Sequence, residues 1–114
     1  MGDVSVVDLS GRITLADEFD LFRDTIRALV NDGHRNVLLN LKDVEYVDSA
    51  GLGAIVSCYA TLANLGGSLK LLSPQTRVGS MLQVTRLYTL LVVYNDEAEA
   101  IRSFRSSSEL GAGG

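Results

Sequence analysis

The stretch VLLNLKDVEYVDSAGLG, residues 37–53, decides the fold. Its first part, Val37–Leu41, is a nearly continuous apolar run, which is typical of a strand covered on both faces. A polar loop is predicted after Leu41, and a helical pattern of apolar residues begins at Leu52. The order of interior strand, loop and helix indicates an α/β domain.

Strands and helices alternate on both sides of this stretch. Upstream, the sequence predicts a half-buried strand over residues 4–9, a turn at Ser10-Gly11, and an amphipathic helix from an N-cap at Thr14 to a C-cap at Gly33. Downstream, it predicts a helix closed by Gly66-Gly67, a strand over 69–72, a helix beginning at Ser73-Pro74, a strand over 90–94 and a final helix from residue 95. This alternation predicts a sheet with helices packed on it.

The length of 114 residues allows one domain, and 46% hydrophobic residues are enough to build its core. We expect this domain to occupy residues 1–105. Residues 106–114 are small and polar, and they are predicted to form a disordered tail.

Charge and cysteine content exclude several classes of function. Ten basic against 14 acidic residues give a net charge of −4, and Lys42 and Lys70 lie in no basic run, which argues against nucleic acid or a membrane surface as partner. No segment has the 18 or so consecutive apolar residues of a membrane span. The single cysteine, Cys58, suits a reducing compartment, so we expect a cytoplasmic protein without metal or cofactor.

The junction Asp48-Ser49-Ala50-Gly51-Leu52-Gly53 is the candidate site, because α/β sheets build sites where a strand leads into a helix. Asp48 or Ser49 can cap the helix, and the small residues leave its first turn open to another molecule. Ser49 is therefore either a helix cap or a modifiable hydroxyl. A phosphate there would add about −1.5 to −2 charges at a helix N-terminus that tolerates them.

The segment NLKDVEYVDSAGLG, residues 40–53, closely resembles the signature of the STAS domain family, in particular the bacterial anti-sigma factor antagonists. Further landmarks in the same order are SGRIT at 10–14, Gly66-Gly67, SLKLLSP at 68–74 and VVYNDEAEAI at 92–101. The resemblance implies a single STAS-like domain, with a mixed β-sheet of about four strands packed against about four α-helices.

The resemblance also implies a function without catalysis by this chain. An anti-sigma factor with serine kinase activity would phosphorylate Ser49, and a PP2C-type phosphatase would reverse the reaction. Unphosphorylated protein would bind the anti-sigma factor and release sigma factor. Ala50 cannot accept phosphate, so Ser49 is the only local acceptor. The expected partner-binding residues are Thr14, Tyr46, Asp48, Ser49, Ala50, Gly51, Leu52 and Gly53.

Thr14 and Tyr46 differ from the other expected partner-binding residues. Thr14 stands where the family often has aspartate, so partner choice can differ here. Tyr46 is either a rim contact or a loop aromatic folded onto the core.

Two enzyme classes do not fit the sequence. A serine hydrolase would need His34 as the base for Ser49, but the predicted strand between them separates the two by about 20 Å. A dinucleotide-binding motif starting at Gly51 would need a glycine where Val56 stands. Cys58 lies in an apolar helical stretch and is interpreted as packing.

A second non-catalytic function stays open at this stage. The chain could serve as an unphosphorylated STAS accessory module of a transport or stress-signalling assembly. In addition, an exposed sheet edge near Val4 could pair with another copy as a weak homodimer.

Overall fold

The centre of the molecule is a four-stranded sheet in the order β1-β2-β3-β4. The computed structural model describes residues 4–14 and 19–104, so the predicted tail over 106–114 lies outside the described residues. The strands are β1 (Val4–Ile13), β2 (Asn36–Val47), β3 (Ser68–Leu72) and β4 (Val93–Tyr94). The helices are α1 (Phe19–Asn31), α2 (Ser49–Asn64), α3 (Thr76–Val84), a short 3-10 helix (Leu87–Thr89) and α4 over residues 97–104.

All described strand pairs are parallel. The α/β class, the four strands and the number of helices are confirmed, whereas the sheet of the described residues is parallel rather than mixed. The physical reason is the connectivity. A helix between each pair of consecutive strands carries the chain back to the edge where the previous strand began, so the next strand runs in the same direction.

β2 is the interior strand that the sequence predicted, because Val37, Leu38 and Leu39 are fully buried. The predicted loop after Leu41 was wrong, since β2 continues to Val47. This continuation pairs only with β1, beyond the last pair with β3. Its buried residues alternate irregularly with exposed polar ones, and the polar composition resembles a loop.

β1 is one strand of ten residues and has no turn in it. The predicted turn at Ser10-Gly11 was wrong: the register with β2 shifts between Asp8 and Ser10 and again between Gly11 and Arg12, as in β-bulges. Gly11 has φ of +80°, which glycine adopts without strain. The glycine therefore bends the strand, and β1 continues to Ile13.

The first three helices pack on one face of the sheet and form the main core. α1 contributes Phe22 and Ile26, which are 3% exposed. Its predicted C-cap is confirmed, since Gly33 has φ of +91° and its N–H donates to the carbonyl of Val30 at 3.0 Å. The predicted N-cap at Thr14 would cap residues 15–18, which lie outside the described residues.

α4 covers the opposite face with a smaller core. Ala100 and Phe104 pack on Leu38 of β2 and Leu72 of β3. The side chain of Lys70, 9% exposed, donates to Ser103 Oγ at 3.0 Å and lies 4.6 Å from the centre of the Phe104 ring. These contacts hold α4 against the sheet.

α3 begins later than predicted. Its N-cap is Gln75, whose side chain makes no capping hydrogen bond, so the Ser73-Pro74 start was wrong. Ser73 has φ of +53°, and its N–H donates to the carbonyl of Tyr94 at 2.7 Å. Ser73 therefore still belongs to the edge of the sheet and cannot cap the helix.

Candidate functional site at the start of α2

Asp48 caps α2. Its backbone is extended, and its Oδ1 accepts a hydrogen bond from the Gly51 N–H at 2.7 Å. The carbonyl of Asp48 accepts the first helical hydrogen bond, from the Leu52 N–H at 2.9 Å. Of the two residues that the sequence offered as the cap, the structure selects the aspartate.

Ser49 is the first residue of α2 and is exposed. Its hydroxyl has no hydrogen-bond partner within the part of the chain that the structure describes. Since Asp48 supplies the cap, the helix does not need this hydroxyl. The interpretation of Ser49 as a helix cap is therefore wrong, and its side chain is available to a second molecule.

The two glycines of the first turn have opposite surroundings. A Cβ on Gly51 would overlap the carbonyl oxygen of Ile13 and lie 2.9 Å from Val47 Cγ1, so this position admits only glycine. A Cβ on Gly53 would meet nothing within 4 Å, and this residue is exposed. Gly51 allows the helix to dock against β1, whereas packing gives no reason for Gly53.

The helix start is held against the end of β1. The Asp48 N–H donates to the Ile13 carbonyl at 3.3 Å, which brings Thr14, the next residue, to the same region. Arg12 directly precedes Ile13 in β1, and its guanidinium lies 6.0 Å from the centre of the Tyr46 ring. The predicted residue Thr14 is therefore close to Asp48, although the two are more than 30 residues apart in sequence.

Burial divides the predicted surface into an exposed and a supporting part. Ser49 and Gly53 are exposed, and Tyr46, Asp48 and Ala50 are partly exposed. The other predicted residues lie beneath them: Gly51 is buried, and Thr14 and Leu52 are each 5% exposed.

Arg12 is the neighbour of the site that sequence reasoning missed. It is an exposed base in an acidic chain, and it lies opposite Tyr46 in the β1–β2 register. A signal was present in the sequence, since a base next to the predicted surface contrasts with the net charge of −4. The pairing itself could not be found, because it depends on the register of two distant segments.

The other candidate groups lie elsewhere. His34 Nδ1 is 3.1 Å from Ser5 Oγ, at the amino end of the sheet, whereas Ser49 follows the carboxyl end of β2. Cys58 is 8% exposed, and burial raises the pKa of its thiol, with a smaller opposing effect of the Arg23 charge. Among the described residues, no group of three His, Cys, Asp or Glu side chains could hold a metal ion, and no helix is long and apolar enough to cross a membrane.

Known proteins resemble most of this chain. A family model described as the STAS domain matches residues 1–100. A protein of Thermotoga neapolitana, described as a homolog of a candidate anti-sigma factor antagonist, is 38% identical over 63% of this chain and 64% of its own length. The anti-sigma-B factor antagonist of Staphylococcus aureus is 28% identical over 71% of this chain and 80% of its own length.

Among solved structures, the crystal structure of a candidate anti-sigma factor antagonist from Thermotoga maritima has the same architecture. It superposes with a TM-score of 0.86 at 28% identity, over 92% of this chain and 90% of that one. The similarity therefore covers nearly the whole domain.

Proposed function

This chain belongs to the STAS domain family, and from that premise we propose that it acts as an anti-sigma factor antagonist in the cytoplasm. The start of α2 would bind an anti-sigma factor, which then releases its sigma factor. The names of the relatives support this function. The observation that carries it is the exposed Ser49 hydroxyl, which stands on a helix start that Asp48 already caps.

Phosphorylation of Ser49 is the proposed switch. The anti-sigma factor would act as a serine kinase: the Ser49 oxygen attacks the γ-phosphorus of ATP, the bond to the β-phosphate oxygen breaks, ADP leaves and the hydroxyl proton passes to a base of the kinase. The exposure of Ser49 supports this role. No catalytic group of this chain is required.

The phosphate would act through charge. It adds about −1.5 to −2 charges beside Asp48, on a surface that fits the partner when the hydroxyl is neutral. The N-terminal end of α2 and its remaining free N–H groups lessen the effect on folding. A loss of about 3 kcal/mol in binding weakens a complex on the order of a hundredfold, which is enough to reverse a competition with sigma factor.

The reverse step needs a separate enzyme. We expect a PP2C-type phosphatase to hydrolyse the phosphate ester of Ser49, which restores the hydroxyl and releases inorganic phosphate. The same exposure that admits a kinase supports access by a phosphatase. The binding form would then be regenerated.

The direct test incubates the protein with a histidine-kinase-like ATPase encoded in the same genome, ATP and Mg²⁺. We expect one added phosphoryl group, mapped to Ser49 by peptide mass spectrometry and absent from Ser49→Ala. Ser57, an exposed serine on the same helix, supplies the control, because Ser57→Ala should be phosphorylated like the parent protein.

Binding separates the switch from its alternative. Ser49→Ala should bind the ATPase as tightly as the unmodified protein, and Ser49→Asp about a hundredfold more weakly. Equal affinities of the two variants would contradict the switch. A stable complex that is never phosphorylated would instead indicate the accessory module of a transport or stress-signalling assembly.

A weak homodimer through the outer edge of β1 is a further part of the proposal. β1 is an edge strand of ten residues, and Val6 on it is 37% exposed. Unpaired strand edges favour pairing with another strand. Sedimentation velocity over a range of concentrations tests this pairing, and a coefficient independent of concentration would contradict it.

A further inference from the structure

The turn of α2 that follows Ser49 adds no exposed side chain beside its hydroxyl. In an α-helix, the residues three and four positions later are the surface neighbours of a given residue. For Ser49 these are Leu52, which is 5% exposed and belongs to the main core, and Gly53, which is exposed but has no side chain. The residue directly after Ser49 is Ala50, which carries only a methyl group. The helix surface next to Ser49 is therefore bare.

A side chain at position 53 would lean toward Ser49. Every Cα–Cβ bond of an α-helix tilts toward the N-terminus, so a side chain covers the surface of the turn before its own Cα. The turn before Gly53 begins with Ser49, the first residue of α2. A larger residue in place of Gly53 would therefore occupy the surface where a second molecule must approach the Ser49 hydroxyl.

The fold itself does not require a glycine at position 53. A Cβ there would meet nothing within 4 Å, and Gly53 is not among the glycines with positive φ. Glycine inside a helix also lowers stability relative to alanine, because the unfolded chain has more conformational freedom. Gly51 is different, since the carbonyl of Ile13 leaves no room for a Cβ. Gly53 therefore weakens α2 without a packing reason among the described residues.

Phosphoryl transfer requires close access to the hydroxyl. The Ser49 oxygen must come within about 3–3.5 Å of the γ-phosphorus of ATP, in line with the bond to the β-phosphate oxygen. That bond breaks as ADP leaves, and the hydroxyl proton passes to a base of the kinase. We propose that Gly53 is a specificity-determining residue for this transfer, because it leaves room beside Ser49 for the ATP-bearing site of a serine kinase. The inference rests on the proposed phosphorylation of Ser49 and adds that access depends on the size of residue 53.

Variants that differ in the size of residue 53 test this dependence. With the same ATPase, ATP and Mg²⁺, kcat/KM for phosphorylation of Ser49 should fall about tenfold in Gly53→Ala and about a hundredfold in Gly53→Leu. Ala60→Leu is the matched control, because Ala60 is exposed on the same helix about three turns after Ser49, and its kcat/KM should equal that of the parent protein. Urea denaturation should show Gly53→Ala to be at least as stable as the parent, so that a loss of fold does not explain the slower transfer.

A second measurement tests access without a kinase. In a Ser49→Cys, Cys58→Ala protein, the new thiol reacts with N-ethylmaleimide or with the much larger fluorescein maleimide. Adding Gly53→Leu should slow the larger reagent about threefold more than the smaller one, and the ratio of the two rates is independent of the thiol pKa.

The outcomes separate this inference from the proposed function. Equal kcat/KM in the parent and both Gly53 variants, or an unchanged ratio of the two maleimide rates, would overturn the role of Gly53 alone. Absence of phosphorylation in the parent protein would overturn the phosphorylation of Ser49 and this inference together.

Discussion

The starts of α2 and α3 occupy equivalent places in the fold, yet they are held in different ways. Each helix follows a parallel strand and packs on the same face of the sheet. α2 begins with a side-chain cap from Asp48 and a glycine pressed against the Ile13 carbonyl. α3 begins at Gln75 without a side-chain cap, after a serine in the left-handed region.

A common topology therefore allows one helix start with a side-chain cap and a closely packed glycine, and one that has only an exposed hydrogen bond to a neighbouring strand. At α2, the contact with β1 and the Asp48 cap hold Ser49 in one position. A charge added to the Ser49 side chain would therefore lie at a fixed place on the surface. At α3, the Gln75 side chain donates to the Lys42 carbonyl at 2.8 Å, an exposed hydrogen bond to a neighbouring strand. The proposed switch therefore belongs to the more tightly defined helix start.

The largest change in the free energy of unfolding is expected from replacement of Gly51, which tests the close packing at the start of α2. Gly51→Ala should destabilise the protein by about 3 kcal/mol, because the new Cβ overlaps the Ile13 carbonyl and the backbone must shift. Gly53→Ala should stabilise it by about 0.5–1 kcal/mol, since the Cβ meets open space and alanine favours the helix. Urea denaturation measures both, and similar values for the two would contradict the close packing.

Removal of the caps gives the next largest effect. Asp48→Ala should lower the free energy of unfolding by about 1 kcal/mol, because the Gly51 N–H loses its acceptor. Gln75→Ala should lower it by about 0.5 kcal/mol or less, since it removes only an exposed hydrogen bond. Asp48→Asn retains a capping oxygen and serves as the control. A larger loss at Gln75 than at Asp48 would reverse the comparison.

A third pair of variants tests the backbone strain at Ser73, just before α3. Ser73→Gly should stabilise the protein by about 0.5 kcal/mol, because glycine adopts a φ of +53° without the steric penalty of serine. Ser80→Gly, within α3, should destabilise it by a similar amount. Thermal unfolding measures both variants, and destabilisation by Ser73→Gly would argue against strain at this position.

The smallest expected effect on stability comes from the ionisation of Cys58, which lies farther along α2. Burial raises the pKa of the Cys58 thiol, so the unfolded chain loses this proton first as the pH rises. The contribution is fully present below the ordinary thiol pKa and is lost as the pH rises from there through the raised pKa, so stability should fall more above about pH 8.5 in the parent protein than in Cys58→Ala. Chemical denaturation across this range measures the difference.

Reagent access provides the control for that experiment. The thiol of Ser57→Cys, which is exposed on the same helix, should react with a disulfide reagent much faster than the native Cys58. Equal rates would contradict the burial of Cys58.

The sequence predicted what local patterns determine. The apolar run from Val37 to Leu41, the helical spacing before Gly33 and the glycines after α2 each depend on neighbours along the chain. The extension of β2 to Val47 was missed because its partner is the end of β1, more than 30 residues earlier. The bulge at Gly11 was interpreted as a turn, since a glycine with positive φ suits both.

The candidate site was likewise predictable only where neighbours along the chain determine it. Asp48-Ser49 was identified as the start of a helix, but the choice of the cap needed the backbone geometry of Asp48. The role of Gly51 depends on the Ile13 carbonyl, a contact that no local pattern contains. Sequence therefore located the start of α2, and tertiary contacts determined which of its residues are exposed.

The sequential order of the parallel strands has a consequence for how the protein is made. Each strand pairs with the one synthesised before it, so the sheet can grow in the order of translation while later residues are still in the ribosome. Each pairing must nevertheless wait for a complete helical crossover, which slows folding relative to proteins with local contacts. Because the start of α2 rests on the end of β1, both sides of the candidate site around Ser49 leave the ribosome before β3 does.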